Sequence, residues 1–211
     1  MSRKFRQLAA PAAALAGAAA SAAWFRRHYL RWGATDAETV GTLPGDEFLP
    51  NPHLQATRAV TVRAPAEAVW PWLAQMGQGR GGFYSYDFLE NLLGLDIHST
   101  DRIHHEWQDI QAGDHVHLAP AASSDLQVAR VDTGSALVFR VPPDSPPGPF
   151  DFTWAFVLRP LPDGTTRLLV RERYAYRRWW TVCMVEAVQV ASFIMSRRML
   201  QGIRIRAEGQ A

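Results

Sequence analysis

Several side chains that bind metals or move protons crowd one part of this chain: His104-His105-Glu106, then His115-Val116-His117. Two histidines at alternate positions of a strand share a face, which is half of a zinc site. Adjacent His104 and His105 cannot readily turn to one ion, and the chain has neither an HExxH helix nor a pair of cysteines. Surface histidines are the expected reading, with no metal. Acyl-transfer and nucleotide motifs are missing too: there is no GxSxG elbow, no GxxxxGK[ST] loop and no GxGxxG opening a βαβ unit. The glycine run from Gly77 to Gly82 resembles a phosphate loop only in composition, because it lies between two predicted helices rather than after a strand. Cys183 stands alone in an apolar stretch, so no internal disulfide forms and no neighbouring base activates a thiolate. It is expected to be a small buried apolar residue.

Glu172 is the candidate that remains. The alternating segment Thr166–Tyr176 places it on one face with Leu168, Val170, Tyr174 and Tyr176. Buried there, its carboxyl would have a raised pKa and would act as a general acid or base, or hold a ligand hydroxyl. A one-residue slip in register would instead place it in solvent beside Arg171 and Arg173.

On the preceding segments Phe152, Trp154, Phe156 and Leu158 share a face, as do Leu137, Phe139 and Val141. Packed against a terminal helix carrying Met184 and Val188, these faces either enclose a pocket rich in aromatics or fill a solid core. The candidate ligand contacts are therefore Phe139, Trp154, Phe156, Val170, Glu172 and Tyr174, with Met184 and Val188 opposite. Tyr84, Tyr86 and Trp107, in a polar neighbourhood with Asp87, Glu90, Asn91 and His98, are expected at the pocket mouth, where Gly77–Gly82 would let a gate move. The alternative for this neighbourhood is capping and surface ion pairing, such as Asp101 or Glu106 with Arg102.

The elements that must position these residues read plainly. Thr57–Arg63 alternates as a strand with Val60 and Val62 on one face. Ala64-Pro65 stops it, and Ala66–Met76 follows as a helix with Val69, Leu73 and Met76 in a stripe and Pro71 as a kink. A second short helix ends near Leu93, capped by Asp87 and closed by Gly94. Strands are predicted at Asp114–Leu118, Leu126–Val131, Ala136–Val141, Phe152–Leu158 and Thr166–Tyr176. Pro142–Pro149 is a stiff loop among them, and Pro162-Asp163-Gly164 a hairpin turn. Short connections imply an antiparallel sheet. The last element is a helix over Trp179–Ala207, apolar nearly all round to residue 195 but interrupted by Glu186, Gln189 and Ser192. It is too short and too polar for a second membrane span and reads as a core helix. Its basic end, Arg197 to Arg206, is a solvated face able to touch anionic lipid.

This order, with the block VTVRAPAEAVWPWLAQMGQGRGGFYSYDFLENLLGLDI at its head, resembles a bacterial branch of the SRPBCC superfamily. START lipid-transfer domains, birch-pollen-allergen-like proteins and polyketide cyclase/dehydrase-like proteins belong to that superfamily. The resemblance spans Thr57 to Ala207. It implies an α+β helix-grip fold, in which a curved antiparallel sheet wraps a long C-terminal helix, and it implies no metal or cofactor. Such folds host carriers and enzymes alike. The expected function is binding or transport of a hydrophobic small molecule or lipid between sheet and helix. The alternative is a polyketide cyclase/dehydratase-like enzyme in the same space, which needs two convergent ionisable groups; only Glu172 is found. A third reading is an interaction module with a filled core.

At 211 residues, with 47% hydrophobic and 11% aromatic side chains, the chain is long enough for one cored domain and an appendage. A formal charge of +2 gives no reason to expect nucleic acid as a partner. Residues 1–33 form a separate piece: Arg3, Lys4 and Arg6, an uncharged alanine-rich stretch from Gln7 to Phe25, then Arg26, Arg27 and Arg31. It reads as a retained membrane anchor, a signal peptide cut near Ala18–Ala22, or a tail. Trp24, Tyr29 and Trp32 would suit an interfacial belt and favour the anchor, hence a membrane-associated protein with a single N-terminal helix; a secreted or cytoplasmic protein is the alternative. Residues 34–56, rich in Gly, Pro, Asp and Asn, read as a linker in which Thr35 and Glu38 cap a brief helix, and residues 57–207 as the ligand-binding domain.

Overall fold

The computed structural model describes residues 3–120 and 125–209. One antiparallel sheet is built from β1 (Leu54–Val62), β2 (His115–His117), β3 (Asp125–Asp132), β4 (Ala136–Arg140), β5 (Phe150–Pro160) and β6 (Thr166–Tyr176). Its strand order is β1-β6-β5-β4-β3-β2, so β2 to β6 pair in sequence and β1 closes onto the last strand. The helices are α1 (Arg3–Leu30), α2 (Asp36–Val40), α3 (Ala66–Ala74), α4 (Asp87–Leu92) and α5 (Thr181–Glu208). The result is the predicted α+β helix-grip architecture, a curved sheet around a long terminal helix.

Opposed residues of antiparallel strands share a face, so the register fixes what points inward. Ala56 and Trp154 both stand opposite Glu172, and Arg58 and Phe156 both stand opposite Val170. One core joins α3, the inner sheet face and the C-terminal half of α5: Trp72, Leu73, Phe156, Leu168, Leu200 and Ile203 are wholly buried in it. Each such side chain contributes about 1.5–3 kcal/mol of transfer free energy. The close fit of α5 depends on Gly202, where a Cβ would stand 2.3 Å from the carbonyl oxygen of Tyr84.

The segment before β1 lies on the outer sheet face. Leu43 is buried against Ala59, Val157 and Leu169. Outward Arg171 and Arg173 reach Asp46 at 2.6 and 2.8 Å, and Arg167 reaches Glu38 at 2.7 Å. These contacts need the chain to follow the sheet closely, and the Thr35–Glu38 capping box predicted for α2 is formed.

Helix α1 meets the domain through its last turns, where Tyr29 is buried, while residues 16–28 are exposed. Among the described residues no helix is long and apolar enough to cross a membrane. The expected transmembrane anchor at residues 9–25 is therefore corrected: alanine adds little hydropathy, and basic residues bracket the stretch.

Candidate functional site

The deepest polar group on the inner face is not Glu172 alone but Glu172 paired with Arg58. Nη1 of Arg58 donates to Oε1 of Glu172 at 2.7 Å, and the two side chains are 0% and 4% exposed. Helix α5 presents Gln189, Ser192 and Ser196 to this pair, three residues at helical spacing on one face. Ser192 Oγ donates to Glu172 at 2.7 Å, Gln189 Nε2 at 3.0 Å and Ser196 Oγ at 3.1 Å. Tyr174 OH lies at hydrogen-bond limit, 3.5 Å. Arg58 also donates to Gln189 Oε1 at 3.0 Å and, through Nε, to the carbonyl of Tyr29 at the end of α1 at 2.9 Å. A cation there satisfies a free carbonyl at a helix C-terminus.

Burial alone would push the Glu172 carboxyl up. The Arg58 charge and the donations from Ser192, Gln189 and Ser196 outweigh it, so the carboxyl is held below its ordinary value. The expectation of a raised pKa on burial is thus corrected: the Arg58 partner and the α5 donors decide the sign. Glu172 faces inward, as the strand alternation predicts, and Arg171 and Arg173 point to the outer face. Arg58 was legible, since it has the same parity as Val60 and Val62 one residue pair further along. An arginine aligned with an inward valine stripe is a signal for a buried ion pair.

Beyond this pair the packing opens. Toward α3 the inner face is closed, with Phe156, Leu158, Leu168 and Val170 all buried. Toward the start of α5, Phe150, Phe152, Trp154 and Tyr176 are only half-buried. Val185 and Gln189 cover this end from α5, Met184 is half-buried, and Val188 is 45% exposed. The aromatic side chains pack at tilted angles: the ring centre of Trp154 lies 4.8 Å from that of Phe156 and 6.0 Å from that of Phe83, and Phe152 lies 4.7 Å from Tyr174. Trp154 Nε1–H is buried and has no hydrogen-bond partner among the described residues. A buried donor left unpaired costs about 1–3 kcal/mol, which an incoming acceptor would recover.

The predicted contacts therefore divide. Tyr174 packs in one cluster with half-buried Met184 and Phe152, Trp154 stands opposite Glu172 with its ring against Phe83, Phe139 and Phe156, and Val188 is exposed, whereas Phe139, Phe156 and Val170 are wholly packed core. Tyr86 is exposed, with the Arg198 guanidinium 5.8 Å over its ring. Tyr84 is buried, its hydroxyl donating to the Trp72 carbonyl at 3.1 Å and accepting from Gln75 at 3.0 Å. Trp107 belongs to the same lattice, since Arg80 donates to its carbonyl at 2.8 Å. That lattice ties the glycine turn to residues 100–108. Asp101 pairs with Arg206 at 2.7 Å rather than with Arg102. His117 Nδ1 lies 2.6 Å from Asp125, and both His115 and His117 are exposed. Cys183, expected to be buried, is exposed because the apolar stretch of α5 turns its outer face to solvent.

Helix α4 is inverted. Phe88, Leu92 and Leu93 are 77%, 73% and 77% exposed, while Glu90 is buried with Oε2 unpaired. Burial, with a smaller push from the Asp87 charge, raises the Glu90 carboxyl to about 7. The folded state then binds its proton more tightly than the unfolded chain, so stability falls as pH rises from about 4.5 to about 7. Replacing Glu90 with glutamine is expected to remove this slope in thermal melts, and to stabilise the protein at pH 8 but not at pH 4. A slope that survives the substitution would place the titration elsewhere.

No protein-family model matches the chain, and no curated protein matches it either. Solved structures similar to it include a protein from Nitrosomonas europaea, 12% identical, covering 75% of this chain and 96% of that one at a TM-score of 0.48. Another is a protein from Nitrosospira multiformis, 13% identical, covering 75% of this chain and all of that one at a TM-score of 0.45. A third is a protein from the dynemicin biosynthetic locus, 16% identical, covering 70% of this chain and 46% of that one at a TM-score of 0.40.

Proposed function

We propose that this chain is a helix-grip protein of the SRPBCC kind that binds a hydrophobic small molecule or lipid at the open end between β5, β6 and α5. The observation that carries this reading is the buried Trp154 N–H, unpaired among the described residues, on the strand that also presents half-buried Phe150 and Phe152. The rings offer apolar area, worth roughly 25 cal/mol per Å² before the entropic cost of association. The indole offers one donor, which favours a ligand with a carbonyl or carboxylate acceptor. The Arg58–Glu172 network forms the floor of the site and is too fully paired to exchange protons with a substrate. The alternative, a cyclase- or dehydratase-like enzyme in the same space, would need a second ionisable group converging with Glu172.

Native mass spectrometry of the purified chain, followed by organic extraction, tests the binding reading. A co-purifying apolar mass is expected, and Val188→Glu should remove it while leaving the fold intact, since Val188 is part-exposed. An apo mass together with no uptake of 1-anilinonaphthalene-8-sulfonate would favour the filled-core interaction module instead.

A further inference from the structure

We propose that the face formed by α1 and the N-terminal end of α5 docks on an anionic membrane surface, with α1 lying along the bilayer rather than across it. Helix α1 carries Arg3, Lys4, Arg6, Arg26 and Arg27 and has no acidic residue. Its exposed part includes Trp24 and Phe25. The turn into α5 is exposed from Arg177 to Trp180, and Trp179 is 88% exposed. Arg26 joins the two parts, because its guanidinium grips Glu186, less than two turns beyond Trp180, at 2.6 Å.

The acidic side chains at this end are held in ion pairs, Asp36 with Arg27 at 3.8 Å among them. Glu186 is neutralised by Arg26, and Asp151 by Arg177 at 2.6 Å. Arg178 has no acidic partner among the described residues. Exposed Trp179 and Trp180 beside the unpaired Arg178 match the headgroup layer, where indole rings sit at the apolar boundary and cations meet lipid phosphates. A second copy of the chain would bring like charges together, which disfavours self-association through this face. An alanine-rich helix with cations at both ends is too weakly apolar to span, and the interface plane is where it can keep those cations wet. This inference does not rest on the ligand reading.

Flotation of the full chain with vesicles tests it. Binding is expected to vesicles of phosphatidylcholine mixed with phosphatidylglycerol, to be weak on phosphatidylcholine alone, and to be released by roughly 0.5 M salt. Arg178→Glu should weaken binding about fivefold or more. Trp179→Ser with Trp180→Ser should weaken it about tenfold, with unchanged thermal melts because these side chains are exposed. No binding, equal binding to both vesicles, variants that bind like the parent, or binding that resists alkaline carbonate would each overturn the proposal. A dimer abolished by the tryptophan changes, without vesicle binding, would assign the face to a second copy instead.

Discussion

Replacing Glu172 with leucine is expected to destabilise the protein by about 3–5 kcal/mol, because it leaves the Arg58 guanidinium buried without its counter-charge. At about 2–4 °C per kcal/mol for a chain of this size, the melting temperature should drop by more than 6 °C. The double variant Arg58→Met, Glu172→Leu should recover most of that loss, since a buried ion pair exchanged for apolar side chains is often neutral or better. Coupling between the two sites, read from a double-mutant cycle, should therefore be large. Losses that simply add would mean that the two side chains act independently. A pH dependence accompanies this. The folded carboxyl lies below its ordinary 4.5, so its contribution is complete above that value and fades as pH falls through the folded pKa. Glu172→Gln should flatten the acid limb of a stability–pH curve.

Gly202→Ala is the second large effect, and its sign runs against helix propensity. In an exposed helix interior this change gains about 1 kcal/mol. Here the new methyl would meet the Tyr84 carbonyl oxygen at 2.3 Å and its Cβ at 2.9 Å. Tyr84 cannot retreat easily: it is held at φ 57° and its N–H donates to Ser99 Oγ at 2.9 Å. We expect a net loss of about 3 kcal/mol, at the upper end of overpacking costs, seen as an earlier urea midpoint with an unchanged slope. Equal or greater stability would mean that α5 shifts freely over the turn beneath it.

The fold was legible because its signals are local. Strand alternation, the Pro65 stop and the Gly94 end each lie within a few residues, and each predicted strand from 114 to 176 has a counterpart in the sheet. The site was legible only in part. Parity put Glu172 inward with Trp154 and Tyr174, but it cannot tell a half-buried ring from a packed one, and so Phe139, Phe156 and Val170 were read alike with Trp154. Arg58 shares the parity of Val60 and Val62, but alternation along one strand does not show which side chain pairs with it. What decides the Glu172 carboxyl is a partner more than a hundred residues away in sequence, at 2.7 Å in space. The exposed outer face of α5 and the inverted α4 were out of reach for a related reason. Apolar residues there follow the sequence pattern for burial, and among the described residues no element covers them. In the segment from residue 34 to 56, turn-forming composition concealed contacts that arise from long-range charge pairing with Arg167, Arg171 and Arg173.

Hydrogen–deuterium exchange with and without palmitate labelled with nitrobenzoxadiazole tests binding at the open end most directly. On binding, added protection is expected in α5 from Met184 to Met195, in β5 from Phe150 to Trp154 and across α4, with little change in β2 and β3. Protection confined to β2 and β3, or saturable binding with no protection around Trp154, would contradict a ligand site between the sheet and α5.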